Sequence, residues 1–454
     1  MEGPNEIDWF GGRCLVSWEM GLGKTMMCLL WMLLHPECLP AIVVCPASAK
    51  WVWQEEAWRW NRWGSVVLDG RTPRRYYGDS PPDLVIINYD VLGGWVKTLR
   101  ASSPRTIVFD ECQMLMSSAS KRTRASRRLA RGVDCVLALS GTPLLNRPIE
   151  LFPILNILDP ERFPSRFEFA ETWCDPRWTP WGVKYLGSSN PRGLNRLLLR
   201  SCMSRRRKAD VLKDLPPKQR FVVPLPLDDH LEYDKARDDF LRWLEGIDST
   251  RAESAAKAEG LTRVGYLLRL AARLKLSSVL EWISSWMDGN EGKLVVFAEH
   301  KEIIDALSRG SPARSVRIDG GTSIGERERA VHLFQTDPTV RMLIGSRSAS
   351  VAITLAPAAS DVAFAEMWWR PGDHLQAEDR CHRIGARQTV RCWYLVARGT
   401  IEERLCRIVQ DKQRDVSATL DGHGRGERLD VWSALVAGEG GRRRRTRMAS
   451  SRRR

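Results

Sequence analysis

The sequence predicts an α/β chain of two lobes, each a parallel sheet flanked by helices, with an α-rich insertion and linker between them and a disordered basic tail. Three observations carry this. Strand-like apolar runs alternate with helical ones from Cys14 to about Leu158. A second alternation of the same kind starts at Leu274. Between them the character changes: Pro and Trp cluster from Phe163 to Trp181, a basic run follows at Arg205-Arg-Arg-Lys208, and helical patterns fill Asp228 to Arg273. Alternation of strand and helix is the pattern of a parallel sheet covered on both faces. The expected boundaries are 1–159, 160–273, 274–420 and 421–454.

In the first lobe, Arg13 to Ser17 reads as a short buried strand and Met26 to Leu34 as a helix. Further strands are expected at Ala41 to Cys45, Leu84 to Asn88, Thr106 to Phe109 and Val133 to Leu139. In the second, Leu274 to Met287 reads as a helix, Lys293 to Ala298 and Arg314 to Ile318 as strands, and Gly325 to Phe334 as a helix. Val340 to Ile344, Asp361 to Phe364 and Val390 to Val396 supply three more strands before a final helix from about Thr400 to Asp415.

Between the first strand and first helix lies Glu19-Met-Gly-Leu-Gly-Lys-Thr25. Gly21 and Gly23 let backbone N–H groups turn toward phosphate oxygens, with Leu22 between them. Lys24 offers a point charge for β- and γ-phosphates, and the Thr25 hydroxyl can ligate Mg²⁺. The strict pattern has glycine where Trp18 stands here. Companion segments strengthen the reading. Ile107-Val-Phe-Asp-Glu111 ends a strand in two carboxylates, one to hold a Mg²⁺ shell and one to orient an attacking water. Leu137-Ala-Leu-Ser140-Gly-Thr-Pro143 ends another strand in a small polar turn. Far downstream, Gln376-Ala-Glu-Asp-Arg380-Cys-His-Arg383 places two arginines three apart, one face if the segment is helical. Two arginines aimed at a γ-phosphate neutralise charge in the transition state.

Composition bounds the partners. No run of about 18 apolar residues implies a membrane span, and no secretory start is evident. The eleven cysteines are scattered without a CxxC pair, which argues against a zinc site or disulfide scaffold and fits an intracellular, reducing compartment. The net charge of +15 points to a polyanionic partner. Residues 442–454 carry eight arginines and no acid, and the rest of the chain is still basic without them; a nucleic-acid tether is expected there. The sequence names no protein partner.

The chain resembles the SWI/SNF-type ATPases of helicase superfamily two, and most of all the HepA-related annealing helicases, over roughly residues 13 to 415. The resemblance rests on Glu19 to Thr25, Val43-Val-Cys-Pro-Ala-Ser48 with Trp53-Gln-Glu-Glu56, Phe109-Asp-Glu111, Ser140-Gly-Thr-Pro143 and Arg147-Pro-Ile-Glu-Leu151. It continues through Trp173-Cys-Asp175, Gly187-Ser-Ser-Asn190, Leu294 to Ala298, Arg317-Ile-Asp-Gly320, Phe364-Ala-Glu366 and Gln376 to Gly385. It implies two RecA-like lobes with ATP and Mg²⁺ as cofactors. Gly21, Leu22, Gly23, Lys24 and Thr25 would bind nucleotide, Thr25 and Asp110 would hold Mg²⁺, and Glu111, Arg380 and Arg383 would act in hydrolysis. Gln113, Ser140, Thr142 and Gln376 would couple the site to DNA.

The implied activity is translocation on, and remodelling of, duplex or forked DNA with weak sequence preference, with strand annealing beyond that. A strand-separating DNA or RNA helicase and a DNA-binding scaffold with an inactive motor are the alternatives. The place would be at DNA: nuclear, or cytoplasmic in a cell without a nucleus. Nucleic-acid contacts are expected at Ser48, Lys50, Asn88, Tyr89, Arg205, Arg206, Arg207 and Ser346. Of the dense tryptophans, Trp53 and Trp60 lie seven apart and are expected in the core. The chain departs from its relatives in several places, Ala386 for a glutamine after Gly385 among them. Gln113 stands for a histidine and is expected to reach Ser140 or Thr142. Ser350 and Ala352 replace glycines and are expected to stiffen their loop. The adenine-reading helix upstream is not contained, which leaves a truncated start or relaxed nucleotide selectivity.

Overall fold

The computed structural model describes residues 2–73, 82–145, 147–179, 182–185, 187–245, 253–350 and 353–422. They form two compact units: the described residues up to Asp214 with those from Gln413, and Leu215–Lys412. The segment 160–273 divides between the two units at Asp214.

The first unit is built on Arg13–Trp18 (β1), Ala41–Cys45 (β2), Ser65–Val67 (β3), Leu84–Asn88 (β4), Thr106–Asp110 (β5), Cys135–Leu139 (β6) and Met203–Arg206 (β9), after the small antiparallel hairpin of Pro176–Thr179 (β7) and Gly182–Tyr185 (β8). The seven strands of the main sheet run in the order β3-β4-β2-β5-β6-β1-β9, each parallel to its neighbours. Every position of β2 and β4 is buried, as expected where helices cover both faces of a parallel sheet.

Glu2–Trp9 (α1), Lys24–Leu34 (α2) and Lys50–Asn61 (α3) build one side of the core, with Ile7, Cys28, Leu29, Trp31 and Trp53 against the sheet. Tyr89–Ala101 (α4) and Lys121–Ala130 (α5) cover the other, with Leu92, Trp95, Leu99 and Leu129 packed beside Ile154 and Leu155. Val416 and Leu420, from the end of the long helix Ile401–Asp421, join this second side.

The second unit holds Lys218–Leu225 (β10), Leu294–Ala298 (β11), Arg314–Ile318 (β12), Val340–Ser346 (β13), Asp361–Phe364 (β14) and Val390–Ala397 (β15). Their order is β10-β15-β14-β11-β13-β12, again all parallel. Phe297, Phe364, Trp368 and Tyr394 pack on one face, and Ile283, Trp286, Ile304 and Leu307 on the other. Among the described residues no helix is long and apolar enough to cross a membrane. The arginine-rich stretch 442–454 lies outside the described residues.

Candidate active site

Strand order decides what meets at the carboxyl end of the first sheet. β5, β6 and β1 are consecutive neighbours, so the tips that follow them lie side by side: Asp110 with Glu111, Ser140 to Thr142, and the glycine loop.

The loop leaves β1 at Trp18. Gly21 and Gly23 both take positive φ, 84° and 75°, a region glycine enters without a Cβ penalty. Gly23 caps α2, and neither a side-chain cap nor an acid in the first turn shields the free amides there. A helix start of this kind presents N–H groups and the positive end of its dipole to an anion. The Lys24 ammonium folds back onto the loop, donating to the carbonyls of Trp18 at 3.0 Å and Glu19 at 3.4 Å.

Asp110 is fixed from three directions. The indole N–H of Trp53 donates to Oδ2 at 2.9 Å, the Glu111 amide to Oδ1 at 2.9 Å, and the Tyr89 hydroxyl to the backbone oxygen at 2.7 Å. Burial first, and the neighbouring Glu111 second, push the Asp110 carboxyl up to about 6, against the opposing pull of Trp53 and Lys24. Glu111 sits in the left-handed region, with φ 49° and ψ 52°. A non-glycine residue held there carries strain of the sort that concentrates at functional sites.

From Glu111 a chain of hydrogen bonds runs to the next strand tip. Gln113 Nε2 donates to Glu111 Oε2 at 2.6 Å, Ser140 Oγ donates to Gln113 Oε1 at 2.6 Å, and the Thr142 amide donates to Ser140 Oγ at 3.0 Å. Gln113 thus reaches Ser140, as its position in the sequence leads one to expect. The turn also touches the loop directly: a methyl on Gly141 would come within 2.5 Å of Met20 Cγ and 3.1 Å of Met20 N.

The residues fit a nucleoside triphosphate with a divalent cation. Unshielded helix amides and Lys24 suit phosphate oxygens. Two crowded carboxylates, one with its ionised form disfavoured, are the electrostatic condition that a hard cation relieves.

In the second unit Gln376 lies on the helix Pro371–Glu378 and lines a cavity of about 650 Å³ with Ser346, Asp319, Arg347 and Arg370. Arg380 and Arg383 do not share a helix face, as their spacing suggests, because the helix ends at Glu378 and both lie in the turn that follows. Arg380 Nη1 donates to the Ile353 carbonyl at 3.1 Å, and Arg383 Nη1 to Thr354 Oγ1 at 2.6 Å.

The break is anchored by Glu378. This fully buried carboxylate takes both nitrogens of the Arg220 fork, at 2.7 and 2.6 Å, with Lys218 Nζ at 2.9 Å and the Tyr394 hydroxyl at 2.7 Å. Burial pushes its carboxyl up, but Lys218 and Arg220 more than offset that and hold it at about 2. A depressed folded-state value means stability present above the ordinary carboxylate range and lost as pH falls toward 2. Arg220→Leu is therefore expected to destabilise the second unit by about 3 kcal/mol at neutral pH, with the deficit shrinking below pH 4. Urea melts across that range test it; a pH-independent deficit contradicts the assignment.

The residues expected at nucleic acid fare unevenly. Tyr89 is buried with its hydroxyl on Asp110, and Asn88 is buried at the cap of α4. Lys50 is buried and pairs with Asp69. Arg205 is enclosed by the Asp421 carboxylate at 2.8 Å, the Ser17 carbonyl at 2.9 Å and Glu19 at 3.5 Å. Arg206 pairs with Glu6 at 2.6 Å and lies over the Trp18 ring, while Arg207 forks onto Asp210 at 2.7 Å.

Arg205 and Arg206 thus lie on an edge strand and pair with acids of their own unit, while Arg207 stays partly exposed beyond it. Ser48 and Ser346 stay partly accessible. Trp53 is core, but Trp60 is 47% exposed, with its indole on Glu56. Ala352 lies outside the described residues, as does Val351.

Two partners escaped the sequence reading: Trp53 as a hydrogen-bond donor to Asp110, and Arg220 with Lys218 on Glu378. The second pair sits on β10, a strand whose weak apolar pattern gives no signal.

A family model for the SNF2-related domain matches residues 11–251, more than half of the chain. The chain belongs to the SNF2-related family. Members of that family are nucleic-acid-dependent, helicase-like ATPases. The model of the helicase conserved C-terminal domain matches residues 274–385 of this SNF2-related chain.

A relative from Xenopus tropicalis, the SWI/SNF-related matrix-associated actin-dependent regulator of chromatin subfamily A-like protein 1, is 33% identical over 424 residues, covering 88% of the chain and 42% of the relative. The human DNA annealing helicase and endonuclease ZRANB3 is 30% identical over 426 residues, covering 90% and 39%. The SNF2-related chain thus spans about two-fifths of the length of these relatives. Among solved structures, the Sulfolobus solfataricus SWI2/SNF2 ATPase core in complex with dsDNA covers 92% of both chains at 21% identity and a TM-score of 0.41, too loose a likeness to transfer residue roles.

Proposed function

We propose that the chain is a DNA-dependent ATPase that translocates on double-stranded or forked DNA and remodels it, with strand annealing as a further activity. The observation that carries this is the hydrogen-bonded path from Glu111 through Gln113 to Ser140 and Thr142, beside a phosphate loop whose helix start is unshielded. A path of this kind lets the state of the hydrolytic carboxylate be felt at the neighbouring strand tip. The name of the human relative, a DNA annealing helicase and endonuclease, supports the choice of DNA and of annealing.

In this reading Gly21, Leu22, Gly23, Lys24 and Thr25 cradle the triphosphate, and Thr25 and Asp110 are the oxygen ligands for Mg²⁺. Bound there, the cation would supply charge neutralisation on the phosphates. Glu111 orients the attacking water by accepting its hydrogen bond. Its strained backbone, with Gln113 on one carboxylate oxygen, fixes the direction in which the other is offered. Arg380 and Arg383 supply positive charge to the γ-phosphate. Ser140, Thr142 and Gln376 pass the state of the site to DNA, which Ser48 and Ser346 contact through its backbone. Such contacts position without reading sequence. The place of action follows the substrate: at DNA, in the nucleus of a cell that has one.

The test is steady-state ATP hydrolysis without nucleic acid and with single-stranded, duplex and forked DNA and RNA. Strong stimulation by duplex or forked DNA is expected. Stimulation by RNA alone, or strand separation on forked duplex without annealing, would favour a strand-separating helicase. Tight DNA binding with no hydrolysis would make the chain a scaffold.

A further inference from the structure

At the end of the first sheet away from the glycine loop, two thiols meet. Cys38 lies just before β2 and Cys135 opens β6, with β5 between those strands. Their Sγ atoms are 3.6 Å apart, within reach of a thiol–thiol hydrogen bond. The contact is held by the backbone around it. Thr106 Oγ1 donates to the Cys38 carbonyl at 2.7 Å, the Cys135 amide to the Arg105 carbonyl at 3.1 Å, and the Arg105 amide to the Pro40 carbonyl at 2.9 Å. Cys38 and Cys135 are therefore tied to two consecutive residues, Thr106 at the start of β5 and Arg105 just before it. On the far side Gly12 makes the room: a methyl there would stand 2.7 Å from Cys135 Sγ.

The pair is also reachable. Ten of the eleven cysteines are buried, and Cys135 is the more open exception. A cavity of about 530 Å³ beside them is lined by their chain neighbours Leu39, Pro40, Val133 and Asp134 and by Arg105, not by the sulfurs themselves.

We propose that Cys38 and Cys135 form an oxidation site that closes to an intramolecular disulfide under hydrogen peroxide. The Cys135 thiolate attacks a peroxide oxygen, the O–O bond breaks, and a sulfenic acid and water result. The Cys38 sulfur then attacks the Cys135 sulfur, the S–O bond breaks, and a second water leaves as the S–S bond forms. Two thiols are oxidised and one peroxide is reduced to two waters.

The assignment of the first sulfur follows the surroundings. Burial pushes the Cys38 thiol up to about 12. Burial raises Cys135 as well, but the hydrogen bond from Cys38 and the nearby Arg13 act against it. Scarce thiolate makes the reaction slow, so the site responds to sustained peroxide rather than to a brief pulse.

The two residues are 97 apart in sequence, and the loop between them contains β2 to β5 with α3 to α5. Closing a loop of this length removes much freedom from the unfolded chain. The bond would clamp β2 and β6 at their starts, while Asp110 and Glu111 stand at the other end of β5, the strand between them.

The experiment uses the full, reduced chain. Peroxide treatment, alkylation of the remaining thiols and peptide mapping should give one dominant cross-linked species joining Cys38 to Cys135. The first thermal transition should rise by ~5–10 °C and return on reduction with dithiothreitol. Cys38→Ser should abolish the cross-link and the shift, leaving Cys135 as sulfenic or higher acid; should that variant fail to fold, the map of the unaltered chain decides. Both cysteines still alkylatable after prolonged peroxide, or Cys135 joined to a different cysteine, would overturn the proposal. A verified bond with no thermal shift would overturn the clamp.

Discussion

Lys24→Ala lowers ATP hydrolysis by about a hundredfold or more while the chain keeps its fold. The side chain projects from the first turn of α2 and donates to two carbonyls of its own loop, Trp18 and Glu19. These acceptors sit in a part-buried loop, so losing the donor leaves little to repair. What is lost is a cation at the unshielded helix start. The loss is felt twice. A triphosphate would forfeit its nearest fixed positive charge, and Asp110, whose ionised form Lys24 favours, would become still harder to ionise. Steady-state hydrolysis, nucleotide affinity and a thermal melt on the same preparation check this. Hydrolysis within tenfold of the unaltered chain, with an unchanged melt, would remove Lys24 from the proposed site.

Arg383→Ala lowers kcat by about 10³- to 10⁵-fold with KM changed far less, since an arginine offered to a γ-phosphate acts on the transition state. Of the two candidate arginines this is the cleaner probe. Arg380 also builds the turn: its guanidinium holds the Ile353 carbonyl, and its own carbonyl accepts the amides of Leu355 and Ala356. An Arg380→Ala variant would mix lost charge with a loosened loop. Arg383 Nη1 meets the hydroxyl of Thr354, a contact that water can replace. Behind it the turn is braced by Glu378 and its cationic partners, so the charge is held in place before any substrate arrives. A variant whose defect lies in KM, with kcat within tenfold, would assign Arg383 to ground-state binding instead.

The parts of the candidate site that the sequence reveals are those whose chemistry constrains consecutive residues. Two glycines, a lysine and a threonine make a phosphate loop wherever they fall between a buried strand and a helix, and Asp110 with Glu111 needs only the strand that delivers it. The apolar runs of β2 and β11, and of β4 up to Asn88, are visible for a similar reason: covered on both faces, they have no polar alternation to blur them.

Charge was less legible. Arg205 and Arg206 look like free positive charge because Glu6, Glu19 and Asp421 are distant along the chain, and only folding brings them to the same edge strand. Lys50 is similarly absorbed by Asp69. A spacing of three promised one helix face for Arg380 and Arg383, but a buried Glu378 tied to β10 ends that helix first. Trp53 and Trp60 share a helical phase, yet α3 stops at Asn61, and its last turn leaves Trp60 in solvent.

The end of the long helix Ile401–Asp421 bears on how the protein is made. Val416 and Leu420 complete the core of the first unit, Asn195 Nδ2 donates to the Leu420 carbonyl at 2.8 Å, and Asp421 closes on Arg205. During synthesis the sheet that carries the glycine loop must wait, with that apolar surface uncovered, while some two hundred further residues are translated. Most of the second unit emerges during this wait. A nascent chain stalled short of Val416 would therefore be a client for chaperones even with every strand of its first sheet already made.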